Sequence, residues 1–135
     1  MPSTTHRGSC HCGAVQFTVE LDPSRPTSRC NCSICTKQRF WKAVVPGSAF
    51  RLLRGQEALG EYRFGRGAIG HFFCRTCGVK PFGRGEMESM GGVFYGVNVA
   101  CLDDLTPEQL AALPVLHQDG RADHWEVSPK EHRYL

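Results

Sequence analysis

No window of the chain reaches the about 18 consecutive apolar residues that a membrane helix needs. The opening stretch, Met1 to Arg7, is polar and has no apolar core of the kind an export signal carries. Neither sign of charge dominates: 16 Lys and Arg against 13 Asp and Glu leave a net charge of +3, too small to argue for nucleic acid by itself. Internal repeats, linkers and low-complexity tracts are missing, and so is any long helical period. Those absences exclude a repeat array, a coiled coil and a helical bundle. With no leader and no membrane segment, the expected location is the cytoplasm, where thiols stay reduced.

What is present points to cysteine chemistry. The chain has 135 residues, 41% of them hydrophobic and 21% charged. That is an ordinary folded composition, and its length predicts one domain over residues 1–135. Fifteen Gly and eight Pro suit short strands joined by turns. Eight Cys exceed what packing asks of a reduced protein, and in that setting clusters of them read as metal or catalytic sites rather than disulfides. The Asn31-Cys32-Ser33 glycosylation pattern is discounted for the same reason.

Hydrophobic patterning predicts a mainly β fold. Val15, Phe17, Val19 and Leu21 alternate with polar residues, the period of a half-buried strand. A Cys-rich loop is expected from Arg29 to Cys35, then strands over 40–45, 50–53, 59–64, 69–73 and 93–99. The tail 124–127 alternates again. One helix is expected, opened by Thr106-Pro107-Glu108-Gln109, which combines an N-cap threonine, a proline at the first helical position and a capping-box glutamine. Gly65-Arg66-Gly67-Ala68-Ile69-Gly70 fits a phosphate-loop expression, yet a strand and no helix follows it, so a hairpin turn is predicted.

Seven of the eight cysteines are clustered: Cys10-His11-Cys12, Cys30-Asn31-Cys32-Ser33-Ile34-Cys35 and Cys74-Arg75-Thr76-Cys77-Gly78. The last is a zinc knuckle, in which the intervening turn aims two sulfurs at one ion and Gly78 supplies a left-handed residue. Joining Cys10 and Cys12 to Cys74 and Cys77 closes one four-thiolate centre and leaves Cys30, Cys32 and Cys35 over. Three ligands with an open fourth position distinguish a catalytic zinc from a structural one. Spacing alone leaves other divisions open: Cys101 completing the triplet, or Cys10 and Cys12 serving it. A lone cysteine is more often a small buried hydrophobe, the expectation for Cys101. His11 and His71 are candidates for supporting or alternative ligands. Asp103 and Asp104 are expected to favour the positive end of the helix, and His124 and Trp125 to close the sheet, with a place facing the pocket as the alternative.

These motifs, followed by Val97-Asn98-Val99-Ala100-Cys101-Leu102-Asp103-Asp104, resemble the glutathione-dependent formaldehyde-activating enzyme family, also called the GFA or centromere-protein-V/GFA domain. Gly55, Leu59 and Tyr62 fit the same pattern. The resemblance implies an Mss4-like fold of coiled antiparallel sheets. It places the structural zinc on Cys10, Cys12, Cys74 and Cys77, and the active-site zinc on Cys30, Cys32 and Cys35. It also puts Phe40 and Trp41 at the border of the pocket.

An open trithiolate zinc carries one net negative charge and ionises a thiol that enters it. With formaldehyde and glutathione the product is S-hydroxymethylglutathione, and in reverse the site is a carbon–sulfur lyase. Glutathione is anionic, and Arg63, Arg66, Lys80 and Arg84 are candidate contacts for it. The rival expectation is a non-catalytic zinc-stabilised binding module. Nucleic acid is a weaker third, since no basic run is interleaved with aromatics, and no membrane partner is expected.

Overall fold

The computed structural model describes residues 3–135. It contains ten strands: β1 (Thr4–Ser9), β2 (Gln16–Leu21), β3 (Thr27–Cys30), β4 (Trp41–Pro46), β5 (Phe50–Arg54), β6 (Leu59–Tyr62), β7 (Ile69–Cys74), β8 (Phe82–Met87), β9 (Gly92–Asn98) and β10 (Val115–Gln118). Two short helices accompany them, α1 (Ser33–Gln38) and α2 (Pro107–Ala112). The fold is mainly β, as the patterning predicts. No helix among the described residues is long and apolar enough to cross a membrane.

The strands form two sheets. One has the order β1-β2-β5, the other β10-β3-β4-β9-β8-β7-β6. All pairings are antiparallel except β10 on β3, which is parallel and sets Gln118 opposite Cys30. The alternation in β2 does what its period implies: Phe17 and Val19 are buried, and they pack with Ala43 and Val45 of β4 and Val97 of β9 between the sheets. Phe50 stacks on Phe17 at 5.4 Å and on Tyr95 at 4.1 Å, so an aromatic ladder links the two layers. Cys101 joins this core at 6% exposure, and burial pushes its thiol up to about 12. It is a core residue and lies outside both thiol clusters.

Several local expectations hold, and others are corrected. The capping box of α2 is formed, with the Thr106 side chain taking the Gln109 N–H and the Gln109 side chain taking the Thr106 N–H. The expected hairpin turn is formed between β6 and β7, with Ile69 and Gly70 already in β7. The loop expected over 29–35 is instead the end of β3 followed by α1, because six residues from Ser33 close one helical turn and a half. The tail 124–127 is not a strand; it makes one isolated bridge between Asp119 and His124. Asp103 and Asp104 do not serve the helix, which caps itself. Asp103 accepts from Ser9 Oγ at 2.6 Å, and Asp104 from the Arg7 N–H at 2.9 Å and His6 Nδ1 at 3.1 Å, fastening β1 to the chain ahead of α2.

Candidate metal centres

The end of β7 and the turn after β1 bring four sulfurs together. Cys10, Cys12, Cys74 and Cys77 have Sγ atoms all within 4.8 Å of one another. Cys12 lies 3.7 Å from Cys10 and 3.6 Å from Cys74. Four sulfurs about 2.3 Å from one ion would sit about 3.8 Å apart, so the spacing suits a tetrahedron. Gly78 has φ +80, the left-handed residue anticipated after the second knuckle cysteine, and its N–H bonds Cys74 O at 2.8 Å. Backbone N–H groups then converge on the sulfurs: Val15 donates to Cys10 at 3.3 Å, and Val79 and Cys12 donate to Cys77, pulling its thiol down to about 6. Cys12, despite the Ala14 N–H that lowers it, is raised to about 11 by desolvation and by the thiols around it. Four thiols this close cannot all ionise unaided, and a divalent cation removes that conflict. Val15, Leu52, Ala58, Leu59 and Val79 wrap the cluster in its own small core.

The triplet is built differently. Cys30 ends β3, Cys32 is the N-cap of α1, and Cys35 lies in the helix on its buried side. Their three Sγ atoms are again within 4.8 Å of one another, and no fourth Cys, His, Asp or Glu among the described residues joins them. The Cys32 N–H bonds Cys30 Sγ at 3.3 Å. Hydrogen bonds from the Cys30 and Cys35 thiols hold the Cys32 thiol far below its usual range, and the same interactions, with burial, push Cys35 up. The donor set is soft and incompletely closed, which fits a zinc ion with a further position.

Arg39, at φ 51, ends α1 in the left-handed conformation and sends the chain back so that Phe40 covers Cys30 and Cys35. Trp41, by the alternation of β4, points elsewhere. Its Nε1–H donates to Thr27 Oγ1 at 2.8 Å beneath the Arg29 guanidinium, so only Phe40 borders the triplet as expected.

The opposite wall comes from the C-terminal segment. The buried Asn31 amide donates to Asp119 at 2.9 Å and accepts the Arg121 N–H at 2.9 Å, pinning the intervening turn against the site. A methyl group on Gly120 would lie 2.5 Å from Cys30 Sγ and 2.6 Å from Trp125 Cη2. Trp125, expected in the sheet, therefore stands beside the triplet, 45% exposed. Gly120→Ala is expected to displace Cys30 or the indole and to weaken metal held at the triplet by about 10- to 100-fold, leaving the four-thiol centre unchanged. Stepwise chelator competition measures both affinities, and equal retention at the two centres would show that this wall does not press on Cys30.

The other candidates separate. His71 is 7% exposed and belongs to neither sulfur cluster; its Nδ1 meets Lys80 Nζ at 2.7 Å. Burial, then the charge of Lys80, pulls its pKa down to about 4, so the ring is neutral at pH 7 and accepts the Lys80 proton. Lys80 is 8% exposed and is lowered to about 8 by burial, against the opposing pull of Cys35 and Cys32. Arg63 is engaged with Glu61 and the Gly67 carbonyl, and Arg66 is exposed on the hairpin. Arg84 lies on β8 opposite Gly70 and Tyr95, and His11 is exposed beside Cys12. Of the two places anticipated for Trp125, the pocket is the one the structure favours; Gly120 carries no local signal, since its approach to Cys30 depends on a strand pairing across 88 residues.

A family model described as "Glutathione-dependent formaldehyde-activating enzyme" matches residues 5–118. A curated relative from Halomonas elongata, "Putative glutathione-dependent formaldehyde-activating enzyme", is 60% identical over 30 residues, covering 22% of this chain and 19% of that protein. A solved structure of a Rhodobacter sphaeroides protein superposes with a TM-score of 0.68 at 39% identity, over 82% of this chain and 99% of that one. Gly120 and Trp125 lie beyond the residues that the family model covers.

Proposed function

The chain belongs to the glutathione-dependent formaldehyde-activating enzyme family, and from that premise we propose that it makes or breaks a carbon–sulfur bond between glutathione, or a similar small thiol, and an aldehyde. Cys10, Cys12, Cys74 and Cys77 hold a structural zinc in this reading, and Cys30, Cys32 and Cys35 hold a second. Zinc at the triplet supplies the field that ionises an incoming thiol at neutral pH. The observation that carries the reading is three convergent sulfurs that no fourth Cys, His, Asp or Glu among the described residues joins.

The chain's own residues do the rest. Cys30, Cys32 and Cys35 fix the place where the thiol enters. Phe40 and Trp125 flank it, excluding water on two sides and holding the reacting atoms close, which supplies rate that a bound thiolate's reduced nucleophilicity withholds. The substrate sulfur attacks the aldehyde carbon, the carbonyl electron pair moves to oxygen, and that oxygen takes a proton. In reverse the oxygen loses its proton and the carbon–sulfur bond breaks. Exposed Arg66 on the β6–β7 hairpin remains a candidate for a glutathione carboxylate.

The test pairs metal content with turnover. Reduced protein is expected to hold two zinc ions per chain and to speed exchange between formaldehyde, glutathione and S-hydroxymethylglutathione, followed by NMR with labelled formaldehyde. One zinc per chain with no acceleration would instead establish the binding module.

A further inference from the structure

A buried ammonium without a carboxylate is costly. Taking a lone charge out of water costs several kcal/mol per ion even after relaxation, so such a group is held by an anion or loses its proton. Lys80 has this problem. Its Nζ donates to Gln38 Oε1 at 3.0 Å and to His71 Nδ1 at 2.7 Å, two neutral acceptors. It stands over the Phe40 ring at 4.0 Å. No Asp or Glu forms an ion pair with it among the described residues. An ammonium has three N–H donors, and among the described residues only these two oxygen or nitrogen acceptors meet it.

Cys35 and Cys32, where ionised, raise the Lys80 pKa against its burial, so the triplet lies within electrostatic reach of the ammonium. The connections run through the triplet's own scaffold. Gln38 is the last residue of the helix that carries Cys35, and the Phe40 ring packs with Cys30 and Cys35 while Lys80 Nζ stands 4.0 Å from its centroid. The Lys80 backbone is fixed as well, its carbonyl taking the Asn98 amide at 2.9 Å. The ammonium is therefore held, desolvated, by neutral groups of the triplet's own scaffold, beside a site that collects negative charge when its thiols ionise. Lys42 also reaches Cys35 electrostatically, but it is tied to Gln118 at 3.2 Å and half-exposed, so water screens it.

We propose that Lys80 is the counter-cation of the triplet: it offsets the one negative charge that three thiolates and a divalent ion leave, and so makes room for the negative sulfur of an incoming thiol. This rests on reading the triplet as an open, thiol-accepting centre. Without Lys80, thiolate entry would raise the local charge to minus two in a poorly solvated site. With it, the same step ends at minus one. Lys80 is thus a positioning residue for the substrate sulfur, a role distinct from the glutathione contact for which its charge alone made it a candidate.

The experiment uses full-length protein loaded with two cobalt ions, titrated with 2-mercaptoethanol, which binds as an anion, and with imidazole, which binds neutral; the visible absorption of the cobalt reports both. Lys80→Met is expected to weaken 2-mercaptoethanol uptake about tenfold or more with imidazole affinity little changed. Lys80→Gln, which keeps a polar group near Gln38 and His71, is the second neutral variant and is expected to behave alike. Lys80→Arg is expected to retain most of the thiol affinity. Equal loss of both ligands, or no loss of thiol affinity in a neutral variant, overturns the proposal. Wild-type protein that takes up 2-mercaptoethanol but not glutathione would refute the glutathione reading and uphold Lys80. Wild-type protein that takes up neither thiol would overturn the open-centre reading and this proposal together.

Discussion

Cys74→Ser protein is expected to be recovered unfolded or not at all, and chelation of the wild-type protein to the point where the four-thiol centre empties is expected to have the same result. Cys74 is fully buried at the end of β7, and its sulfur meets that of Cys12 at 3.6 Å across 62 residues of chain. An ion held there cross-links the β1–β2 turn to the far end of the large sheet. Structural zinc contributes about 10–16 kcal/mol in small zinc-folded peptides, as much as the whole net stability of a typical domain, about 5–15 kcal/mol. A serine oxygen cannot replace the thiolate, and the apolar surroundings of Val15, Leu52 and Leu59 have no other use for a hydroxyl. The measurement is circular dichroism and thermal melting of purified protein. A soluble variant melting like wild type would contradict the grouping of these four cysteines.

Cys32→Ser should do the opposite: keep the fold and lose the chemistry. The triplet is local, six residues from Cys30 to Cys35, so an ion there closes almost no loop and adds little cohesion. Cys32 is only partly buried, and serine is a favoured N-cap, so α1 survives the exchange. The expected outcome is a loss of one zinc per chain, an unshifted melting temperature, and loss of thiol uptake and of the aldehyde–thiol exchange. If this variant unfolds instead, the roles of the two centres are reversed. If it still takes up thiol as the wild type does, the triplet is not where thiol enters.

The elements readable from sequence were those whose signal is local. Phe17 and Val19 announce β2 through a period of two, Thr106 and Gln109 announce α2 through a reciprocal cap, and Cys74 to Gly78 carry their turn within five residues. β1 was silent because Thr4–Ser9 is an edge strand with little buried side-chain surface and so no apolar alternation. β8 was silent because two of its three buried positions are Gly83 and Gly85, leaving Phe82 as its one large core side chain. At Gly85 the space a Cβ would fill belongs to Phe94 and Ile69, so the pattern lies on its neighbours. β10 and the wall beyond it needed a parallel pairing with β3 that no short-range spacing encodes. Lys80 was legible only as one of four cations able to meet a carboxylate; its place against Phe40 and Gln38 is set by the tertiary packing of the end of α1, which no local spacing encodes.

Only Gly78 and Val79 separate Cys77 from Lys80, and this span is held at both ends: Cys77 in the four-sulfur cluster, Lys80 by its carbonyl and its ammonium. So short a span has no slack with which to absorb a displacement. Loosening the enclosed centre would pull the ammonium off its perch on Phe40, and the exposed centre would feel the change in charge before any strand came apart. The two ions, although ligated by separate cysteines, would then not fail independently.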